Sequence, residues 1–309
     1  MKIKVTTNAF SKNITLRKEL LKCFPNSKFN ESGKRLADKE LIDFLSTADG
    51  AIIGLERISM DLLKQLPNLK FISKYGVGLD NIDITACEKN DVKIGWSAGV
   101  NKLSVAEMTL GFMLDLSRNL QLTSNQLKKG FWNKSGGSQL SGKTVGIIGL
   151  GHIGKELVRL LKPFNCKILS YDILDQYEYC KKEKVIITSQ KELLKNSDIV
   201  TIHTPLTSIT NGLVNKSFLN SMKKNSFLIN TARGPIIIFE DLKYALSNSI
   251  ISGAAIDVYD IEPPEDKELL SFENLICTPH IGGNSNESVI LMGQSAINHL
   301  KTFFNKNNL

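Results

Sequence analysis

The chain has 309 residues, 42% of them hydrophobic and 23% charged, and carries a formal net charge of +8. That balance excludes disorder of the whole chain, and the length points to two domains. No apolar run approaches the ~20 residues of a membrane span, and Met1-Lys2-Ile3-Lys4-Val5 opens on strand-like alternation, not on a signal-type apolar core.

In chain order, strands are predicted at Lys2–Thr6, Ala51–Gly54 and Phe71–Ser73. The small-residue stretch Ser97-Ala98-Gly99-Val100-Asn101 then suits a hinge. Ser104-Val105-Ala106-Glu107 reads as a capping box, which predicts a helix starting at Ser104 and running through Met108–Leu116. Further strands are predicted at Val145–Gly149, Lys167–Tyr171, Val185–Thr188, Ile199–His203, Phe227–Asn230, Ala254–Val258 and Leu275–Cys277. Helical patterns alternate with them. Ile153, Leu157, Leu160 and Leu161, for example, fall on one helical face. Ile281-Gly282-Gly283 is a second hinge, followed by a helix with Val289, Met292, Ala296, Leu300 and Phe303 on its apolar face. Such alternation predicts an α/β fold of doubly wound parallel sheets. Two hinges around a central block imply a continuous domain inserted into a discontinuous one.

The most informative segment is Gly149-Leu150-Gly151-His152-Ile153-Gly154, a G-x-G-x-x-G directly after an apolar strand and at the opening of a helix. Gly149 permits the tight turn, Gly151 lets the backbone approach a pyrophosphate, and Gly154 allows close helix–strand packing. The next strand ends at Asp172, 18 positions (172 − 154) after the third glycine. A carboxylate there accepts hydrogen bonds from ribose hydroxyls and repels a 2′-phosphate, and no arginine follows it closely, which favours NAD over NADP. The plainer alternative is a solvated strand-end acid.

The chain has four histidines: His152, His203, His280 and His299. His152 lies in the glycine turn, facing phosphates or solvent. His203, before Thr204-Pro205, suits a cofactor floor, and His280 ends a strand-like run before the second hinge. Taken singly, each reads as structural. Three segments change that reading: Asn230-Thr231-Ala232-Arg233-Gly234-Pro235, Ala255–Pro264 and Thr278-Pro279-His280-Ile281-Gly282-Gly283. With Lys74-Tyr75-Gly76-Val77-Gly78-Leu79-Asp80-Asn81-Ile82-Asp83 and Gly99–Glu107, they resemble the D-isomer-specific 2-hydroxyacid dehydrogenases. The Lys74–Asp83 loop is most similar to the phosphoglycerate dehydrogenase branch.

The resemblance implies a Rossmann NAD-binding domain, residues 99–282, inserted into a flavodoxin-like substrate domain, residues 1–98 and 283–309. It implies catalytic roles for Arg233, Glu262 and His280. The residue chemistry is consistent with them. Arg233 offers a planar fork to a carboxylate, His280 offers an imidazole that can take and return a proton, and Glu262 can orient the imidazole. By the same resemblance NAD meets Gly149, Gly151, His152, Ile153, Gly154, Asp172, His203, Thr204, Pro205, Thr231, Ala232, Asp257 and Gly282. Asp257 would contact the nicotinamide amide. The substrate meets Val77, Gly78, Asn101, Arg233 and His280, in a cleft closed by the two hinges. Expected substrates are 3-phosphoglycerate, hydroxypyruvate or glyoxylate. The alternative function is a non-catalytic NAD-sensing scaffold of the corepressor kind.

A homodimer is also implied, built on Ser104–Leu120 and the segment through Trp132. The length leaves no room for the regulatory domain of longer phosphoglycerate dehydrogenases, so a short form is expected. One departure stands out: Ile238 occupies a position where the family usually has Asp or Asn as a helix cap, which predicts a weaker or shifted helix start. Arg57 could meet a phosphate or be a solvated loop charge, and whether Arg57 or Lys74 reaches the substrate's far end is left open by the sequence. Five cysteines, odd in number and without C-x-x-C spacing, predict free thiols in a cytoplasmic protein with no metal site. The lysines are scattered, with Lys128-Lys129 and Lys181-Lys182 only pairs, so neither nucleic acid nor a membrane is an expected partner.

Overall fold

Strands buried on both faces need apolar residues at successive positions, and both sheets of this protein are built that way. A computed structural model describes residues 1–306. The last three residues of the expected substrate segment lie outside the described residues. Contacts divide the chain into two units, Met1–Asn101 with Gly283–Leu309, and Lys102–Gly282. The first crossing thus falls three residues beyond the boundary expected at 98/99.

In the first unit, β1 (Ile3–Val5), β2 (Lys28–Phe29), β3 (Gly50–Ile53), β4 (Phe71–Lys74) and β5 (Lys93–Gly95) form one sheet in the order β2-β1-β3-β4-β5. All its pairings are parallel. This is the flavodoxin-like order, with helices on both faces. Side chains of β3 alternate between two cores, Ala51 and Ile53 into one and Ile52 into the other. The helix Asn286–Lys306 covers the second face with Met292, Ala296, Leu300 and Phe304.

In the second unit, β6 (Thr144–Ile148), β7 (Lys167–Tyr171), β8 (Ile186–Ile187), β9 (Ile199–Ile202), β10 (Phe227–Asn230), β11 (Gly253–Ile256) and β12 (Leu275–Cys277) form a parallel sheet ordered β12-β11-β10-β9-β6-β7-β8. Read from β8, this is the Rossmann order with a seventh strand added, and it reverses between β6 and β9. Val145, Ile147, Ile199 and Ile229 enter one core, and Ile148, Val200, Ile202 and Leu228 the other. Burial of each such side chain contributes about 1.5–3 kcal/mol.

Two helix starts differ from the sequence pattern in instructive ways. The helix expected to begin at Ser104 begins at Lys102 and runs to Arg118. Ser104 is therefore inside it, in its first turn, and is not its N-cap. Its hydroxyl donates to the Gly282 carbonyl at 2.6 Å. The start of the helix Phe239–Ser247 is not shifted, but its N-cap, Ile238, makes no side-chain bond. Glu240 and Asp241 in its first turn offset the loss through the helix dipole.

Candidate active site

The dinucleotide motif folds as its spacing requires. Gly149 leaves β6 at φ +92°, and a Cβ there would lie 2.7 Å from the His203 carbonyl oxygen, so only glycine fits. Gly151 faces open space and caps the helix His152–Leu161 without a side chain. The first N–H groups of that helix, on His152, Ile153 and Gly154, have no partner within it. Gly154 packs so close to the turn that a Cβ would meet the Gly149 carbonyl oxygen at 2.5 Å. His152 is exposed. The Ile153 side chain packs on the core, so only its backbone can serve a ligand.

Asp172 stands at the end of β7 and is already engaged. Its Oδ2 accepts the Leu150 N–H at 2.6 Å and its Oδ1 accepts the Leu174 N–H at 2.8 Å. The carboxylate thus braces the glycine turn, and its remaining lone pairs are what a ribose could use. Across the turn, His203 and Thr204 follow β9. The His203 Nε2 shares a 3.0 Å hydrogen bond with Thr201 Oγ1, whereas His203 Nδ1 and Thr204 Oγ1 are buried with no partner among the described residues. Burial pushes the His203 imidazole down to about 3, so it is neutral. Buried polar atoms normally have partners, and two orphans beside an open glycine turn fit a polar ligand such as a dinucleotide. Pro205 is exposed and begins a tight turn, its carbonyl accepting from Thr210 Oγ1 at 2.6 Å.

The other ligand-facing edge is made by loops after β10, β11 and β12. After β10, Asn230 is fully buried and brackets the turn, with Nδ2 donating to the Arg233 carbonyl at 2.8 Å and Oδ1 accepting the Ala232 N–H at 3.0 Å. Thr231 is buried, its hydroxyl 3.2 Å from that of Thr109. Arg233 is half-buried and its Nη1 donates to the Ala232 carbonyl at 2.6 Å. The following Gly234 is pressed onto the next loop. A Cβ there would sit 2.1 Å from the Tyr259 carbonyl carbon. That contact brings the Arg233 turn against the segment leading to Glu262.

His280 and Glu262 meet directly. The His280 Nδ1 lies 2.8 Å from Glu262 Oε2 and 2.9 Å from Oε1, and the Tyr259 N–H donates to Oε1 at 3.2 Å. Partial burial pushes the Glu262 carboxyl up. The His280 hydrogen bond, the Tyr259 N–H and the charges of His280 and Arg233 more than offset this and hold it below the usual range. His280 sits at φ +53°, an uncommon conformation for a non-glycine residue. Asp257 holds it there. Its Oδ1 accepts from Thr278 Oγ1 at 2.6 Å and from the Ile281 N–H at 2.8 Å, and its Oδ2 from the Gly282 N–H at 2.8 Å.

Asp257 is 1% exposed, and burial raises its carboxyl pKa against those three hydrogen bonds. Its chief work is to shape the loop that carries His280, a role the sequence did not reveal. Gly282 is engaged in the same way, its N–H on Asp257 and its carbonyl accepting from Ser104, with one carbonyl lone pair left for a ligand.

The expected substrate residues of the first unit lie on separate segments. Val77 and Gly78 are half-buried after β4, and the Val77 carbonyl accepts from Trp96 Nε1 at 2.6 Å. Asn101 has a buried Oδ1 with no partner among the described residues. Arg57 is exposed. Lys74 is 4% exposed and engaged within its own unit, its Nζ donating to the Gly54 carbonyl and, at 2.6 Å, to Asn81 Oδ1. Its ammonium is thus engaged with groups of the neighbouring loops.

Residues 110–282 match the family model of the D-isomer specific 2-hydroxyacid dehydrogenase, NAD binding domain. The chain belongs to this family. It is 39% identical over 274 residues to the glyoxylate reductase of Thermofilum pendens, covering 85% of this chain and 80% of that one. It is 38% identical over 258 residues to the D-3-phosphoglycerate dehydrogenase of Bacillus subtilis, covering 82% of this chain and 49% of the relative. The chain spans about half the length of the D-3-phosphoglycerate dehydrogenases it matches. Among solved structures, D-lactate dehydrogenase from Aquifex aeolicus, complexed with NAD and lactic acid, has a TM-score of 0.87 at 27% identity, covering 99% of this chain and 96% of that one. NAD is therefore the cofactor of the family to which this Rossmann unit belongs, as the glycine spacing and Asp172 led one to expect. The order of motifs from Lys74 to Gly283 was a correct guide to the family.

Proposed function

We propose that this protein is an NAD-dependent oxidoreductase that interconverts a (R)-2-hydroxy acid and its 2-oxo acid. The observation that carries the reading is the His280–Glu262 pair, made by loops on the same edge of the sheet as the Arg233 turn. NAD, when bound, supplies or accepts the hydride. Arg233 holds the substrate carboxylate with its planar fork and polarises the 2-oxo group. His280 donates the proton to the forming hydroxyl from Nε2 during reduction and takes it back during oxidation. Glu262 keeps Nδ1 hydrogen-bonded, fixes the ring and stabilises its cationic form. Asp257 contacts the nicotinamide amide only through the Oδ2 lone pair left by Gly282.

Residues 1–98 and 283–309 serve as the substrate domain, with Val77 and Gly78 giving backbone N–H groups to the carboxylate, and Asn101, in the hinge that follows, near the substrate. Residues 99–282 serve as the NAD domain. The substrate is a small 2-oxo acid, with glyoxylate, hydroxypyruvate and the phosphorylated C3 acids as the candidates. The protein works as a homodimer joined through Ser104–Leu120 and the segment to Trp132. Leu120, Leu127, Phe131 and Trp132 support this, being 52%, 55%, 64% and 78% exposed. A monomer in sedimentation at micromolar concentration contradicts the dimer. Among the described residues no helix is long and apolar enough to cross a membrane, and the five cysteines are free, which agrees with a cytoplasmic enzyme.

NADH oxidation against a panel of these acids tests the activity. Turnover with at least one is expected. NADH binding without turnover of any acid would leave the scaffold reading in its place.

A further inference from the structure

The loop after β4 is fastened by an arrangement that its sequence conceals. Lys74 ends β4, opposite Ile53 in β3. Its stem runs beside the loop, and a Cβ on Gly76, which has φ +121°, would lie 3.7 Å from Lys74 Cε. The ammonium reaches the Gly54 carbonyl and Asn81 Oδ1. Asn81 in turn donates from Nδ2 to the Gly54 carbonyl at 3.1 Å and to the Glu56 carbonyl at 2.6 Å. Glu56, 3% exposed, closes the knot by accepting the Gly54 N–H at 2.7 Å. The loop after β3 and both ends of the Gly76–Asp80 loop are thereby tied to one buried cation.

We infer that Lys74, with Asn81, is a positioning residue that holds the Val77 and Gly78 backbone in place for the substrate carboxylate and does not itself touch substrate. This rests on the proposed role of Val77 and Gly78. A buried ammonium is costly to desolvate and is tolerated only when its donors are met, so the knot resists being opened. Lys74→Met keeps the stem and removes the donors. Asn81→Ala removes the other half of the knot and leaves the ammonium in place.

Each variant is expected to raise KM for the 2-oxo acid on the order of tenfold, the scale of a displaced charge-assisted contact, with kcat and the NADH dissociation constant within about twofold. The double variant is expected to be no worse than either single one, because both open the same knot. Hydrogen exchange of the Ile58, Ile82 and Asp83 amides, which bond across this loop, is expected to quicken while β1 and β3 amides stay as they are. A KM effect in Lys74→Met that Asn81→Ala fails to reproduce overturns the inference, since Lys74 would then act on substrate itself. Unchanged exchange in both variants, or unchanged KM despite faster exchange, overturns it too. If the wild type reduces no 2-oxo acid, the functional reading fails separately, and exchange alone then decides whether Lys74 and Asn81 hold the loop.

Discussion

The two units hold their ligand-facing loops differently: carboxylates predominate in the second, whereas the first adds a buried ammonium to one carboxylate, Glu56, that takes the Gly54 N–H. In the second unit carboxylates grip backbone N–H groups: Asp172 those of Leu150 and Leu174, Asp257 those of Ile281 and Gly282, and Glu262 that of Tyr259. In the first unit a buried ammonium and an amide grip carbonyls, those of Gly54 and Glu56. The difference has consequences for substitutions. Removing Glu262 or Asp257 frees a loop and also changes the charge around His280. Removing Lys74 frees a loop of the first unit, which does not carry the dinucleotide motif.

The largest effect that sharpens this contrast belongs to the glycine turn. Gly151 faces open space, so Gly151→Val is expected to fold normally yet weaken NADH binding about a hundredfold, by filling the phosphate approach. Gly149→Ala should behave differently. Its Cβ meets the His203 carbonyl and its φ is positive, so a loss of roughly 2 kcal/mol or more in unfolding free energy is expected. Titration of NADH fluorescence and thermal melts separate the two outcomes. Equal affinity loss with equal destabilisation would show that the turn has no distinct ligand-facing position.

Glu262→Gln comes next. It is expected to lower kcat on the order of tenfold, because Nδ1 of His280 keeps an acceptor but loses the charge. Its effect on stability depends on pH. The Glu262 carboxyl is held below the ordinary glutamate range in the folded protein, so its contribution is present above the unfolded value and is lost as pH falls through the folded one. The variant should therefore melt below the wild type at neutral pH, and the gap should close in acid. A gap that widens in acid would contradict the pairing.

The smallest effect concerns Ile238. This N-cap makes no side-chain bond and is 42% exposed, so Ile238→Asp is expected to raise stability by about 1 kcal/mol without changing turnover. An unchanged or lower melting temperature would mean that the first-turn acids already meet those N–H groups.

Much of this was legible in the sequence, and what was not has physical reasons. Continuous apolar strands and the glycine spacing gave the doubly wound sheets and the cofactor turn, because both depend on local chemistry. His280 and Glu262, 18 residues apart, were joined only by resemblance to a family, since nothing local says that two loops will meet. Ser104 misled for a related reason. Ser-x-x-Glu fits a capping box wherever it falls, but this serine found a carbonyl 178 residues away. Asp257 and Lys74 were hidden by residue type. A strand-end acid or lysine reads as solvated until the fold shows which backbone groups it meets.

The central claim is that His280 moves the proton in 2-oxo acid reduction, and His280→Ala tests it most directly when turnover and NADH binding are measured on the same sample. A fall in kcat of about 10² to 10⁴ is expected, the range for a lost general acid, with NADH affinity within about twofold of wild type. Turnover near the wild-type rate, with the variant folded and NADH bound, would contradict it.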